Sequence, residues 1–120
     1  MAKHNELGRK GESEAVLYLR QQGYQILITN WRFKHLEIDI IAMKNSTICF
    51  IEVKTRRNNL FAEPQQALTR AKQKNILIAA NQYIQENKID NPIRFDLITI
   101  IQQTPPLLTH YKEVFVPFIF

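Results

Sequence analysis

Leu36-Glu37-Ile38-Asp39-Ile40-Ile41-Ala42-Met43, a gap of Lys44-Asn45-Ser46, then Thr47-Ile48-Cys49-Phe50-Ile51-Glu52-Val53: this stretch decides the fold. Both runs are dense in β-branched and aliphatic residues, and the short polar gap joins them as a hairpin. Upstream, Tyr24 to Trp31 is another β-rich run, so three strands follow one another in antiparallel order. From about Asn5 to Gln22 the residues Leu7, Gly11, Ala15, Tyr18 and Leu19 recur at helical spacing, and Gly23 stands where a left-handed C-cap belongs. Downstream, a polar loop with Asn58, Asn59 and Pro64 precedes the stripe Leu68, Ala71, Ile76, Ala79, Ala80, Tyr83 and Ile84, which marks a long second helix. That helix must end before Asn91-Pro92, because the residue before a proline is pushed out of the helical region. Phe95 to Ile101 reads as a fourth strand, Pro105-Pro106 breaks the chain, and Val114 to Phe120 forms an apolar tail. The expected architecture is a single α/β domain over residues 1–120 in the order αβββαβ.

Hydrophobic residues are 45% and charged residues 22% of the 120-residue chain, which places it among globular domains with one core rather than disordered segments. The three glycines, Gly8, Gly11 and Gly23, all precede the first strand. That excludes the phosphate-cradling and dinucleotide-binding loops, which need glycines just after a strand. A lone Cys49 excludes a disulfide framework and a paired-cysteine metal knuckle, and its place in the strand alternation marks a small core residue. No apolar run approaches the roughly 20 residues that span a bilayer, and the polar start from Met1 to Gly11 lacks a signal-peptide core. A cytoplasmic protein without a membrane partner is expected.

The net charge of +5 is concentrated in one window. Between Lys54 and Lys74 six bases, Lys54, Arg56, Arg57, Arg70, Lys72 and Lys74, meet one acid, Glu63. Such a stretch is the footprint of a polyanion site, because phosphate neutralisation supplies most non-specific nucleic-acid affinity, although a charge cluster alone is more often a solvated face.

Glu52 and Lys54 share one face of their strand, about 6.6 Å apart at ~3.3 Å per residue. If the hairpin register brings Asp39 to that face, two carboxylates and an ammonium converge at the end of an apolar sheet. Charges are costly there without partners. Mg²⁺ (or Mn²⁺) is a natural partner, since Mg²⁺ takes one or two carboxylates and completes its shell with water and phosphate oxygens. Asp39 and Glu52 are the expected metal ligands, and Asp39, Glu52 and Lys54 the expected catalytic group, with Lys54 orienting the attacking water or neutralising the scissile phosphate. The bland competitor is a cross-strand salt bridge on a solvated face. On the first helix Glu12 lies beside the apolar stripe, within reach of the cluster; its plainer role is to complement the helix dipole.

Gly8-x-x-Gly11-Glu12-x-x-Ala15, Gly23-Tyr24, Asn30-Trp31-Arg32, Glu37-Ile38-Asp39, Phe50-Ile51-Glu52-Val53-Lys54-Thr55-Arg56, Lys72 and Arg94-Phe95-Asp96, taken in this order, resemble the bacterial YraN family of small predicted endonucleases. The resemblance runs from about Gly8 to Ile100. It implies a restriction-endonuclease-like fold of the PD-(D/E)xK superfamily, related to Holliday junction resolvases, with a mixed central sheet flanked by helices. It also implies that Asp39 and Glu52 are the metal-binding acids, Lys54 the catalytic lysine and Glu12 a helix-borne acid. Leu36 departs from the glycine expected before Glu-Ile-Asp.

Arg56 and Arg57 leave the candidate catalytic strand directly. With Lys72, one turn before Ile76, they are the expected contacts to the nucleic-acid backbone. Arg70 and Lys74 read as solvated residues, Trp31 and Tyr24 as core, and Arg94 with Asp96 as a structural ion pair. His4, His35 and His110 have no ligand spacing, with His35 a minor candidate through its closeness to Asp39. The expected function is a metal-dependent endonuclease with nucleic acid, DNA by preference, as partner; the alternative is a non-catalytic nucleic-acid-binding module that keeps the fold. The tail is expected to serve either as a homodimer surface or as a cover folded across the first helix.

Overall fold

The computed structural model describes residues 6–57 and 64–119; His4, Asn5, Asn58, Asn59, Glu63 and Phe120 lie outside the described residues. The elements follow as α1 (Glu6–Gln21), β1 (Gln25–Phe33), β2 (Leu36–Lys44), β3 (Thr47–Arg56), the one-turn α2 (Pro64–Ala67), α3 (Arg70–Glu86), β4 (Ile93–Ile101) and β5 (Leu107–Phe115). The result is a mixed α/β fold with one five-stranded sheet in the order β1-β2-β3-β4-β5. Every neighbouring pair is antiparallel except β3 and β4, which are parallel. That parallel pair needs a crossover, and α3 supplies it.

Local chemistry sets the boundaries. Gly23, at φ 90°, ends α1, and the Tyr24 N–H donates to the Leu19 carbonyl at 2.9 Å, closing a Schellman cap. The β2–β3 hairpin is tighter than its three-residue gap suggested. Lys44 pairs with Thr47, and Asn45 and Ser46 both hold left-handed φ values of 51° and 65°, a two-residue turn whose twist matches the strands. Thr69 caps α3, its hydroxyl accepting from the Lys72 N–H at 3.3 Å.

Two apolar layers sandwich the sheet. Ile38, Ile41, Phe50, Phe95 and Leu97 pack with Leu77 and Ala80 of α3, whereas Ile40, Ala42, Cys49, Ile51, Ile98 and Ile100 pack with Ala15 and Leu19 of α1. Gly11 seats α1 on β3. A Cβ there would overlap the Thr55 Oγ1 and crowd Thr55 Cβ and Cγ2 at 3.1 and 3.2 Å, so no rotation of the threonine clears the space.

The expected order αβββαβ is present but incomplete, because β5 follows the prolines as an edge strand beside β4. Its centre, Thr109-His110-Tyr111-Lys112-Glu113, carries no apolar run that marks a strand in sequence. The tail is corrected as well: it covers α3, not α1. Phe115 stacks on Phe95 at 4.8 Å, Phe95 stacks on Phe50 at 5.4 Å, and the Arg70 guanidinium lies 4.0 Å over the Phe118 ring. Phe115 lies in the α3 layer, so the chain leaves β5 on that side. Ile119 joins Phe33 and Leu77 around a small cavity. Among the described residues no helix is long and apolar enough to cross a membrane.

Candidate active site

β2 and β3 pair only from Lys44–Thr47 to Ile40–Ile51. Beyond that rung β2 continues along β1, and β3 continues along β4, so the sheet forks. Asp39 and Glu52 face each other at the first rung of the fork. In place of a backbone ladder, the Asp39 Oδ2 accepts the Val53 N–H at 2.8 Å. Side-chain alternation fails here: Ile40 belongs to the α1 layer and Ile38 to the α3 layer, although a regular strand would give them one face. The Asp39 carboxylate therefore lies in the fork itself, close to the plane of the backbone donors.

The acid pair borders a cavity of about 310 Å³, closed on one side by His35, Leu36 and Glu37 and on the other by Lys72, Asn75 and Ile76 of α3. Asp39 is 8% exposed. Burial foremost, then the charge of and hydrogen bond with Glu52, and last the charge of Glu12, push its carboxyl well above the ordinary range, while the Val53 N–H pulls it down only in part. A buried carboxyl that faces a second acid favours its neutral form unless positive charge is supplied. Lys54 Nζ lies 3.3 Å from Glu52 Oε2, with side-chain exposures of 21% and 18%. The Lys72 ammonium is pushed down, first by the charge of Lys54 and then by burial and a contact with Lys54. Two ammonium groups thus crowd one another beside two acids.

The sequence-derived residues separate into groups. Asp39, Glu52 and Lys72 border one cavity, and Lys54 joins them through Glu52. Glu12 lines a different cleft of about 530 Å³ between α1 and β1, with Arg9, Arg20, Thr29 and Asn30, and its charge acts on Asp39 from there. Arg56 ends β3 and Arg57 follows it, both exposed. Glu37 and Asn75 were missed. Glu37 sits two residues before Asp39 and is paired with Arg32 at 3.4 Å, and Asn75 lies one turn beyond Lys72. Leu36, standing where a glycine was expected, forms part of the wall. Among the described residues no three His, Cys, Asp or Glu side chains form a group that could hold a metal ion. Two carboxylates with water and phosphate oxygens are nevertheless a donor set Mg²⁺ accepts.

A second polar cluster lies on the α1 side. Asp96, 1% exposed, accepts from Arg94 Nε at 2.8 Å and Arg94 Nη2 at 2.7 Å, and from the Glu113 N–H at 3.0 Å. His110 Nε2 lies 2.8 Å from Asp96 Oδ2, with Tyr18 Oη 2.9 Å from its Nδ1. Burial alone would raise the Asp96 carboxyl, but the hydrogen bonds from His110, Arg94 and the Glu113 N–H hold it below the ordinary range. The Arg94–Asp96 pair read from the sequence is the centre of this larger tie, and His110 is the part of it that sequence did not supply.

The molecule is thus an α/β domain with a buried aspartate facing a half-buried glutamate in a forked sheet and lysines at its rim. The model of the uncharacterised protein family UPF0102 matches residues 11–100. The chain is 46% identical to a UPF0102 protein of Bacteroides thetaiotaomicron across 100% of both chains. It is 40% identical to one of Flavobacterium psychrophilum across 98% of this chain and 100% of that protein. A relative from Chlorobium chlorochromatii is 48% identical over 79% of this chain and 74% of its own. The protein belongs to the UPF0102 family.

Proposed function

We propose that the protein is a metal-dependent endonuclease with a restriction-endonuclease-like, PD-(D/E)xK core, acting on nucleic acid, DNA foremost. The observation that carries this reading is the fork, where each half of the site lacks what the other reactant brings. Asp39 faces Glu52 with only the Lys54 ammonium, 3.3 Å from Glu52, set against the pair, which leaves room for a cation, while Lys72 crowds Lys54 and leaves room for an anion. A divalent cation together with a phosphodiester satisfies both. When bound, Mg²⁺ or Mn²⁺ supplies positive charge against the negative charge that develops on the phosphate. Asp39, already fixed by the Val53 N–H, and Glu52 hold the ion. Lys54 Nζ orients the attacking water or neutralises a non-bridging phosphate oxygen, and Lys72 meets the phosphate from α3. Arg56 and Arg57 hold the flanking backbone, a sequence-independent contact. Glu12 adds negative charge from the neighbouring cleft. Two such sites in a symmetric homodimer would serve two strands, with Leu107 and Val116, 51% and 60% exposed, as apolar surface for the second copy.

The test is a cleavage panel of linear, single-stranded, flapped and four-way DNA with Mg²⁺ or Mn²⁺. Wild-type protein cleaves at least one member; Asp39→Ala and Glu52→Ala abolish cleavage but keep DNA affinity; Lys54→Ala abolishes cleavage and keeps metal binding. Inactivity on every substrate together with no metal binding in calorimetry makes the protein a non-catalytic nucleic-acid-binding module.

A further inference from the structure

Asn30 stands opposite Asp39. The rungs Thr29–Ile40 and Trp31–Ile38 bracket these two residues and leave them facing each other across β1 and β2. Within a nine-residue strand, Asn30 holds a φ of 53°, the left-handed region that strands otherwise avoid and that asparagine tolerates better than other side-chain-bearing residues. The consequence shows on both strands. Thr29 pairs with Ile40 of the α1 layer, while Trp31 packs into the α3 layer. On β2 the same change of layer occurs between Ile40 and Ile38. Both strands therefore break the pleat on one shared rung.

This break is not an inserted residue. The pairing offset is identical before and after Asn30, whereas the register shift of β1 lies elsewhere, between Ile26 and Ile28. Edge irregularity, which protects an exposed strand from pairing with other chains, is thus already provided by that shift. A regular rung at Asn30 would set the Asp39 side chain perpendicular to the sheet, away from the in-plane Val53 N–H that it accepts at 2.8 Å. Left-handed backbone at a side-chain-bearing residue is costly and persists where the surroundings or the function require it.

We infer that Asn30 is a positioning residue: its left-handed conformation sets the paired break in the pleat that turns the Asp39 carboxylate into the fork, onto the Val53 N–H and against Glu52. The catalytic consequence rests on the endonuclease proposal; the positioning of Asp39 does not.

The test uses the full chain, ¹⁵N-labelled, as Asn30→Gly, Asn30→Ala and Asn30→Val. Glycine takes the left-handed conformation freely, alanine less readily, and β-branched valine resists it. Two readouts are followed: hydrogen exchange of the Val53 amide, and Mn²⁺ affinity by calorimetry. Asn30→Gly is expected to match wild type in both. Asn30→Val is expected to lose Val53 protection while the amides of Leu97 and Ile98 keep theirs, and to bind Mn²⁺ about 10- to 100-fold more weakly, with Asn30→Ala between. If Asn30→Val does not fold, Asn30→Ala against Asn30→Gly decides. Retained Val53 protection in the folded valine or alanine variant overturns the inference, as does loss of protection in Asn30→Gly. If wild-type protein binds no Mn²⁺, the endonuclease proposal fails, and the Val53 amide still decides the role of Asn30.

Discussion

Asp39 and Asp96 are two buried aspartates, 8% and 1% exposed, and each accepts a backbone N–H beside an irregular strand. Across from Asp39 stands left-handed Asn30. Glu113, left-handed at φ 50° in the shifted part of β5, gives its own N–H to Asp96. The depth of burial is similar; the company is not. Around Asp96 the chain supplies Arg94 and His110, and the carboxyl is held below its ordinary range. Asp39 instead faces another acid at a cavity wall, and its carboxyl is pushed well up. A buried acid surrounded by fixed donors is complete and ties α1, β4 and β5 together. The one that faces a second acid has only the Lys54 ammonium, 3.3 Å from Glu52, set against the pair, and the proposed cation would complete it.

The largest effect expected from breaking this contrast is on chemistry. Replacing Glu52 by Gln should lower metal-dependent cleavage about 10²- to 10³-fold, read as kcat on the best substrate of the DNA panel, with the fold unchanged. Next comes stability, where the two aspartates should move in opposite directions. Asp96→Ala leaves Arg94 and His110 without their shared acceptor and should cost about 3–5 kcal/mol in urea unfolding at neutral pH. Asp39→Asn should instead stabilise. A carboxyl whose folded pKa is raised contributes stability below its unfolded pKa and loses it as pH rises through the folded value. Removing the ionisation therefore raises the melting temperature more at pH 7 than at pH 4. Asp96 has the opposite sign: its contribution is present above the unfolded pKa of about 3.9 and is lost as pH falls through the lower folded value. Wild-type stability should accordingly drop more steeply than that of Asp96→Asn on acidification below about pH 4, measured by thermal melts across that range.

The smallest expected effect lies outside both clusters. Replacing Arg56 and Arg57 together by Ala should weaken DNA binding similarly for all sequences. It should also flatten the dependence of log affinity on log salt by up to about 2 units, at roughly 0.9 per phosphate contact. Fluorescence anisotropy across a salt series reads it directly; an unchanged slope would reduce these arginines to a solvated surface.

Much of this was legible in the sequence where the signal is local. The Gly23 cap, the hairpin from Leu36 to Val53 and the stripe of α3 are each fixed by neighbours within a few residues, and their positions follow to within a few residues. Asp39 and Glu52 were legible only as a conditional pair, since a three-residue gap would set Asp39 opposite Ile51 and the two-residue turn sets it opposite Glu52. The fork was not, since it depends on β2 keeping to β1 while β3 keeps to β4, and no residue announces that choice. β5 was hidden because its burial is polar. His110 looks solvated in sequence, and only the approach of Asp96 from β4 makes it part of the core. Glu12 was read as lying beside the apolar stripe of α1; it lines the cleft toward β1, and from there its charge acts on Asp39. Asn30 carried a faint signal, an asparagine amid a β-rich run, whose meaning required the rung across from it.

The contrast between the two aspartates is tested most directly by titrating Mn²⁺ into ¹⁵N-labelled protein and recording which amides broaden first. Broadening should be strongest at Asp39, Glu52 and Val53 at low Mn²⁺, fall off with distance across β4 toward Asp96 and His110, and disappear from the fork in Asp39→Asn. Broadening that starts at Asp96, or that persists unchanged at the fork in Asp39→Asn, would contradict the claim that the acid pair is completed by a cation from outside.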